Sequence, residues 1–365
     1  MSKRIIQANL NNQGGAFSLV YEAQKKLNDE FVFDYFSPEK FVNNEVYSDL
    51  LNRGSKCIGG GYSKNRLLKQ FSIYRSFKKY LLDNNYWFVH IHSDTSWKMV
   101  VYYLAAKRAG INNVVVHSHS SGIGGHYRKI NYLLHLLCRP IVKRAKYRCA
   151  CSDAAAEWMF GTKKNVTIIQ NGVDIEKFKF REEKRAEIRK QYGLDDEIKL
   201  IGSVSDFSYP KNPEFIFKLI REFKNDGNYK FMLVGNRDSC KLKEWAEADE
   251  TIQNVIFVGT VTNVEAYLSA MSVFILPSRF EGLPMCAVEA QVSGLYTIIS
   301  NNISEETQCS VRCGRLPLDV KIWKKQIEKM ELSYNRGLVN EFLVGSKFNI
   351  SGTAEELKRL YYEEN

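Results

Sequence analysis

Twice along this chain, short apolar runs suited to buried strands alternate with segments of helical periodicity, and one polar stretch separates the two series. A parallel neighbour can be reached only through a crossover, so this alternation reads as parallel sheets covered by helices. In the first series strands are expected over 5–8, 31–35, 87–92, 114–119, 147–151 and 166–169, with helices over about 16–27, 67–83 and 97–109. The second has strands over 199–202, 231–235, 255–259, 273–277 and 296–299, and a helix from about 213. A chain of 365 residues suits two domains of roughly 150–200 residues each. The fold class is therefore α/β, with two Rossmann-like doubly wound parallel-sheet domains. The first is placed at 1–175 and the second at 176–350, with a helix over 351–365 that can pack back on the first domain. The polar stretch 171–193, with its charge-rich Arg181-Glu182-Glu183-Lys184-Arg185, reads as the linker.

Composition narrows the class. With 44% apolar and 25% charged residues the chain reads as soluble and globular. No apolar run approaches the ~18–20 residues of a membrane span, and the first residues lack a signal-peptide core, so a cytoplasmic location is expected. The eight cysteines read as reduced thiols. Cys149-x-Cys151 and Cys309-x3-Cys313 have no Cys or His partners at zinc spacing.

The formal charge of +11 is concentrated in one region. No acidic residue lies between Asp94 and Asp153, whereas Lys98, Lys107, Arg108, Arg128, Lys129, Arg139, Lys143, Arg144, Lys146 and Arg148 do. Within that region 128–147 has helical spacing, with Ile130, Leu133, Leu134, Leu137, Ile141 and Val142 as its apolar stripe and Pro140 as a kink. Two readings stay open: a core-facing helix with a solvated basic face, or contact with an anionic membrane surface at the inner face of the cytoplasmic membrane. No nucleic acid partner is expected, because aromatics are not interleaved with the basic residues.

The chemistry concentrates at strand ends. Val273-Phe274-Ile275-Leu276-Pro277 leads into Ser278-Arg279-Phe280-Glu281-Gly282-Leu283-Pro284, and a helix is expected from Pro284. Glu281 in the turn and Glu289 two helical turns later flank a helix N-terminus, whose free N–H groups and dipole suit a phosphate. Carboxylates can hold sugar hydroxyls, so the pair points to a sugar-nucleotide site. Gly14-Gly15 occupies the first strand-to-helix turn, where glycine lets a ligand approach the backbone. No G-x-G-x-x-G occurs there, which argues against a nicotinamide cofactor. His117 and His119 end a strand beside Ser118, Ser120 and Ser121, and His90 and His92 end the neighbouring one. A metal site built on these histidines lacks a carboxylate at suitable spacing.

Together these residues resemble retaining glycosyltransferases of family 4 with the GT-B fold, closest to those of bacterial capsular and exopolysaccharide biosynthesis, along nearly the whole chain. The shared patterns are Asn12-Gln13-Gly14-Gly15-Ala16, His117-Ser118-His119, Asn171-Gly172-Val173-Asp174 with Phe178, and an E-x7-E signature in Glu281 and Glu289 enclosing Glu-Gly-Leu-Pro. The resemblance implies two domains facing a cleft, with a nucleotide diphosphate-sugar donor in the second and a saccharide or lipid-linked saccharide acceptor in the first. It implies catalytic roles for His119, His117 and Glu281. Donor binding would fall to Lys211, Arg279, Gly282, Leu283, Pro284, Glu289 and Gly15, with Glu289 on the ribose. No metal or other cofactor is expected, and the transferred group would be a hexose or N-acetylhexosamine.

One position departs from the pattern. Relatives carry an arginine ahead of the lysine matched by Lys211, and here Asp206 stands in its place. A carboxylate ~4 Å from a phosphate oxygen is repelled by about 1–4 kcal/mol at effective dielectrics of about 80 to 20. Arg279 and Arg237 are the candidates to replace the missing cation, with Arg279 favoured. Asp206 also keeps open a catalytically weak protein that partners another transferase. A nucleotide-sugar epimerase is disfavoured by the transferase-like spacing of Lys211, Glu281 and Glu289.

Overall fold

The computed structural model describes residues 3–12, 14–60, 62, 65–124, 127–235, 239–330, 336 and 348–362. Two compact units divide the chain: Met1–Gly172 together with Ile350–Asn365, and Val173–Asn349. In the first, β1 (Lys3–Ala8), β2 (Phe31–Ser37), β3 (Cys57–Gly59), β4 (Phe88–Ser93), β5 (Val114–Ser118), β6 (Tyr147–Ala150) and β7 (Thr167–Ile168) pair in the order β3-β2-β1-β4-β5-β6-β7. Every pairing is parallel. Helices α1 (Gly15–Leu27), α2 (Asn44–Asn52), α3 (Arg66–Leu82), α4 (Ser96–Arg108), α5 (Arg128–Val142) and α6 (Asp153–Phe160) lie between these strands.

Alternation along the strands sorts their side chains to two faces. Ile5 of β1, Phe33 of β2, Phe88 of β4 and Val115 of β5 pack with Phe17 and Val20 of α1. Ile6, Phe36, Val89 and Val116 point the other way, onto Ile73 and Phe77 of α3 and Met99 and Tyr102 of α4. Strands buried on both faces read as unbroken apolar runs, which is why they were legible in the sequence.

In the second unit, β8 (Lys199–Val204), β9 (Tyr229–Val234), β10 (Val255–Gly259), β11 (Val273–Leu276), β12 (Tyr296–Ser300) and β13 (Cys313–Leu316) form a parallel sheet in the order β10-β9-β8-β11-β12-β13. Its helices are α7 (Ile175–Phe178), α8 (Glu182–Gln191), α9 (Pro213–Glu222), α10 (Ser239–Ala248), α11 (Val264–Ala270), α12 (Met285–Val292) and α13 (Val320–Glu328). The stretch expected to be a linker is therefore helical and part of this unit. Asp174 caps α7 by accepting from the Lys177 N–H at 3.1 Å, and Phe178 and Ile188 are buried. The guanidinium of Arg189 is also buried, donating to the carbonyls of Ala270 at 3.0 Å and Ile198 at 2.8 Å. Charge-rich composition concealed that inward face. Sequence periodicity also passed over β3, β13 and the helices α2, α6, α10, α11 and α13. Segments this short carry too few periods to register.

The last helix, α14 (Ile350–Tyr362), closes the apolar face of the first unit with Ile350, Leu357, Leu360 and Tyr361. Thr353 fastens its start, donating to the Gln170 carbonyl at 2.8 Å and accepting from the Gly172 N–H at 2.9 Å. A β-carbon on Gly172 would lie 2.4 Å from Thr353 Oγ1 and 2.7 Å from Ile350 Cα, so only glycine fits there. At the other end Trp87 donates to the Tyr361 carbonyl at 3.0 Å, and the Tyr362 hydroxyl donates to Glu30 at 2.8 Å.

Helix α5 ends at Val142 rather than Tyr147, with Pro140 inside its last turn. Part of its apolar stripe faces outward: Ile130 is 56%, Leu133 57% and Leu137 64% exposed, joined by Tyr127, Tyr132 and Leu136, while Leu134 and Ile141 are half-buried and Val142 is buried. The residue buried from its middle is His135, which stacks on Trp158 at 4.1 Å. The core-facing reading of that stripe thus holds for Ile141 and Val142 and fails for Ile130, Leu133 and Leu137. Among the described residues no helix is long and apolar enough to cross a membrane.

Candidate functional site

Both sheets reverse their strand order once, between β1 and β4 and between β8 and β11. Diverging loops at such a point leave a crevice at the carboxyl ends of the strands, where open α/β sheets bind ligands. The expected site residues gather at these two places, one in each unit.

In the second unit the loop after β8 meets the loop after β11. Asp206 accepts from the Ser208 N–H at 3.1 Å and hydroxyl at 2.7 Å, closing an Asx-type turn. Phe207, at φ 51°, is fully buried beneath it. The turn aims Lys211 at Glu281, and the ammonium donates to that carboxylate. The Ser278 hydroxyl donates to the same carboxylate oxygen at 3.0 Å. Burial works against the charge on Lys211, but the carboxylates of Glu281 and Asp206 oppose it, and the ammonium is held above the ordinary lysine value. The cation expected at the diphosphate is therefore present and charged.

Helix α12 opens beside that pair. Pro284 is its N-cap rather than its first residue, and as the N-cap it supplies no side-chain hydrogen bond to the first turn. Leu283 is buried and helps anchor the Gly282-Leu283-Pro284 turn. Burial pushes Glu289 up to about 7, with Lys177 opposing the shift and Glu265 adding to it. Cys286 is pushed up to about 12, chiefly by burial, so it stays a thiol.

Arg279 is engaged by the protein's own groups. Its guanidinium donates to the Tyr209 carbonyl at 2.7 Å and to Glu214 at 2.9 Å, and it stacks over the Tyr209 ring at 4.3 Å. These contacts brace the turn that carries Lys211, and replacing the missing arginine would require breaking the pair with Glu214. Arg237 lies outside the described residues.

In the first unit, Gly14 (φ 81°) precedes Gly15, the first residue of α1, and both are exposed on a helix start without a side-chain cap. Asn12 of the same motif has a structural duty: its side chain accepts from the Val42 N–H at 2.8 Å and donates to the Asn43 carbonyl at 2.6 Å.

His117 and His119 join His90 and His92 in a stack of four imidazoles. His90 lies 4.2 Å from His92 and His117 lies 4.2 Å from His119, ring centre to ring centre. Their nitrogens are shared in pairs, His90 Nε2 with His117 Nδ1 at 3.1 Å and His92 Nδ1 with His119 Nε2 at 2.8 Å. Two residues the sequence reading missed complete the network. Gln7 Oε1 pairs with His92 Nε2 at 2.7 Å, the Tyr361 hydroxyl pairs with His90 Nδ1 at 2.7 Å, and the Gln7 amide donates to Tyr361 at 3.2 Å. Gln7 and Tyr361 stand 354 positions apart, and nothing in the local sequence of either signals a site.

Burial lowers every one of these histidines: His90 to about 3, His119 to about 4, and His92 and His117 well below the ordinary imidazole range. All four are neutral at physiological pH. His117 Nε2 and His119 Nδ1 are sealed from water and have no hydrogen-bond partner among the described residues. A buried polar atom left in that state costs about 1–3 kcal/mol. Ring nitrogens of His90, His92 and His117 lie within 4.8 Å of one another. The rings are stacked, however, and lone pairs lie in the ring plane, so these nitrogens do not converge on one point as tetrahedral ligation demands.

Comparison with known proteins agrees with this arrangement. Residues 31–177 match the family model Glycosyltransferase Family 4, and residues 184–307 match Glycosyl transferases group 1. The chain is 29% identical over 334 residues to the putative glycosyltransferase EpsF of Bacillus subtilis, covering 87% of this chain and 85% of that protein. It is 25% identical over 364 residues to the capsular polysaccharide biosynthesis glycosyltransferase CapH of Staphylococcus aureus, covering 96% of each. The crystal structure of Anabaena Alr3699/HepE in complex with UDP and glucose superposes over the full length of both chains with a TM-score of 0.80 at 15% identity, a likeness of fold. The chain carries a Glycosyltransferase Family 4 domain and a Glycosyl transferases group 1 domain, and it is a glycosyltransferase with the GT-B fold, its two Rossmann-like sheets of seven and six parallel strands.

Proposed function

We propose that this glycosyltransferase moves a hexose or N-acetylhexosamine from a nucleotide diphosphate-sugar to a lipid-linked saccharide acceptor in surface polysaccharide biosynthesis, with retention and without a metal. The observation that carries the reading is the Lys211–Glu281 pair at the second switch point, beside the start of α12. Lys211 and the α12 N–H groups supply positive charge for the leaving diphosphate, the part a metal plays elsewhere. Glu281, already an acceptor for Lys211 and Ser278, is suited to hold sugar hydroxyls. It is not poised as a covalent nucleophile, which favours attack on the same face with a leaving-phosphate oxygen taking the acceptor's proton. Glu289 accepts from the ribose, and His119 and His117 contact the transferred sugar. UDP bound in HepE and the polysaccharide role of CapH support the donor class and the biological setting.

The lipid-linked acceptor is supported by α5. Its outward Ile130, Leu133 and Leu137 sit among Arg128, Lys129, Arg139, Lys143 and Arg144, the composition of a helix lying in an anionic bilayer surface.

The test is a panel of UDP- and GDP-linked hexoses and N-acetylhexosamines, read by thermal shift and slow donor hydrolysis with Glu289→Ala as control. A shift with one donor, lost in the variant, is expected. Silence across the panel from folded protein would overturn the reading and favour a scaffold partner of another transferase, the alternative that Asp206 motivates.

A further inference from the structure

Helix α3 is apolar on two sides. One side is spent on the core of the first unit, where Ile73, Phe77 and Leu81 are buried. The other faces away from that core: Leu68 is 57%, Phe71 58% and Leu82 61% exposed. Leu68, Phe71, Arg75, Lys79 and Leu82 follow one another at helical steps, so the exposed apolar residues and two exposed cations share one outward row. A helix apolar on both sides wants a second apolar surrounding, and an exposed apolar patch marks a surface that something covers.

A groove of about 450 Å³ runs beside this row, lined by Phe71, Tyr74, Arg75, Lys78, Lys79 and Leu82, together with Asp83 just past the helix end. The Arg75 guanidinium lies over the Phe71 ring at 5.6 Å, so its charge is carried on apolar surface. The charge of the region is one-sided. Helix α3 has no acidic residue, and between Asp49 and Asp153 the sequence holds only Asp83 and Asp94. Asp94 is already paired with Lys98 at 2.9 Å. Helix α4 packs against α3 and also against α5, so the three form one layer over the sheet. On α4, Lys107 and Arg108 are exposed, and Val101 and Leu104 are half-buried.

We propose that the outward row of α3 is a second docking surface for an anionic lipid bilayer, acting together with the outward face of α5. Charge selects this occupant. Lysine is depleted from interfaces between proteins, and a nucleic-acid groove wants aromatics interleaved for base stacking. A bilayer surface instead takes Leu68, Phe71 and Leu82 into its acyl boundary while Arg75, Lys78 and Lys79 reach the lipid phosphates. The inference rests on the proposed membrane contact of α5 and adds orientation to it. One helix in a bilayer surface leaves the molecule free to roll about that helix. A second contact removes this freedom and fixes the carboxyl ends of β4 and β5 relative to the lipid.

The test sediments the full chain with vesicles of phosphatidylglycerol and phosphatidylcholine in equal parts, and with phosphatidylcholine vesicles alone. The wild type should partition about tenfold more strongly to the mixed vesicles. Phe71→Asp with Leu82→Asp should weaken that partition by about tenfold or more, with the unfolding temperature unchanged because both side chains are exposed. Arg75→Gln with Lys79→Gln, a milder pair, should weaken it severalfold and flatten its salt dependence. Adding Leu133→Asp and Leu137→Asp to the α3 pair should lose more than either pair alone. Undiminished partition of both α3 variants, with the α5 pair detached, would overturn the α3 surface and leave the α5 contact standing. If the α5 pair also stays bound, the membrane reading itself falls. Equal partition of the wild type to both kinds of vesicle would refute the selection for anionic lipid. A wild-type dimer that the α3 pair dissolves, with vesicle binding intact, would assign this face to a second copy of the chain instead.

Discussion

Lys211 and Glu281 are 70 positions apart in sequence, yet the ammonium of one donates to the carboxylate of the other. Neither is on a strand; each follows one, and the two strands, β8 and β11, are neighbours in the sheet only because its order reverses there. Lys211→Ala removes the donor proposed for the leaving diphosphate and takes from Glu281 its Lys211 cation. Steady-state transfer should fall by about 10²–10³-fold. The double variant Lys211→Ala, Glu281→Ala should lose less than the product of the single losses, because each single change strands a charged partner.

With Glu289 on the ribose, as proposed, donor binding should depend on pH. Its carboxyl group is held up at about 7, so near neutrality a large fraction is protonated and cannot accept from two ribose hydroxyls. UDP affinity, measured by calorimetry between about pH 5.5 and 8.5, should rise as pH passes upward through about 7. Stability should move the opposite way. A carboxyl whose folded pKa is raised binds more protons folded than unfolded, so its contribution to stability is lost as pH climbs from the ordinary carboxyl range through about 7. Glu289→Gln should flatten both profiles and weaken UDP binding on the alkaline side.

Gly172 is constrained by close approach. With its β-carbon 2.4 Å from Thr353 Oγ1, Gly172→Ala must push the start of α14 outward. The expected cost is about 1–3 kcal/mol, the range for forcing extra volume into a packed site. Loss of protection should appear first in α14 by hydrogen exchange, since Thr353 ties that helix to Gln170 and Gly172.

The outward face of α5 separates stability from membrane contact. Leu133 and Leu137 are exposed, so Leu133→Asp with Leu137→Asp should leave unfolding within about 0.5 kcal/mol of the wild type. Sedimentation with vesicles containing anionic lipid should weaken at least tenfold, because burying each leucine in the bilayer is worth about 1.5–3 kcal/mol. Raising the salt should weaken the wild type as well, through screening of Arg128, Lys129, Arg139 and Lys143.

Most of the sheet architecture was legible because buried parallel strands leave continuous apolar runs such as Val114-Val115-Val116 and Phe231-Met232-Leu233-Val234. The placing of Lys211, Glu281 and Glu289 beyond strand ends was legible for a related reason: they follow such runs within a local strand-turn-helix grammar. The direction of the α5 stripe was not. Periodicity shows that Ile130, Leu133 and Leu137 share a face, but core and membrane recruit the same residues, and only the burial of His135 against Trp158 shows which side is inside. The partner of Arg279 was hidden for a different reason. The place of Arg279 at a strand end suited a phosphate contact, and its guanidinium is held instead by Glu214, on the neighbouring helix α9.

By itself, then, the sequence determined the strands, the helices between them and the chemical groups at the strand ends, because hydrophobic period and turn chemistry are local properties. Tertiary structure alone decided which of those ends meet. Strand order brings Lys211 to Glu281 and His90 to His117, and the return of α14 sets Tyr361 against Gln7. The physical reason is that hydrogen bonds and ion pairs depend on distance in space, whereas sequence records only distance along the chain.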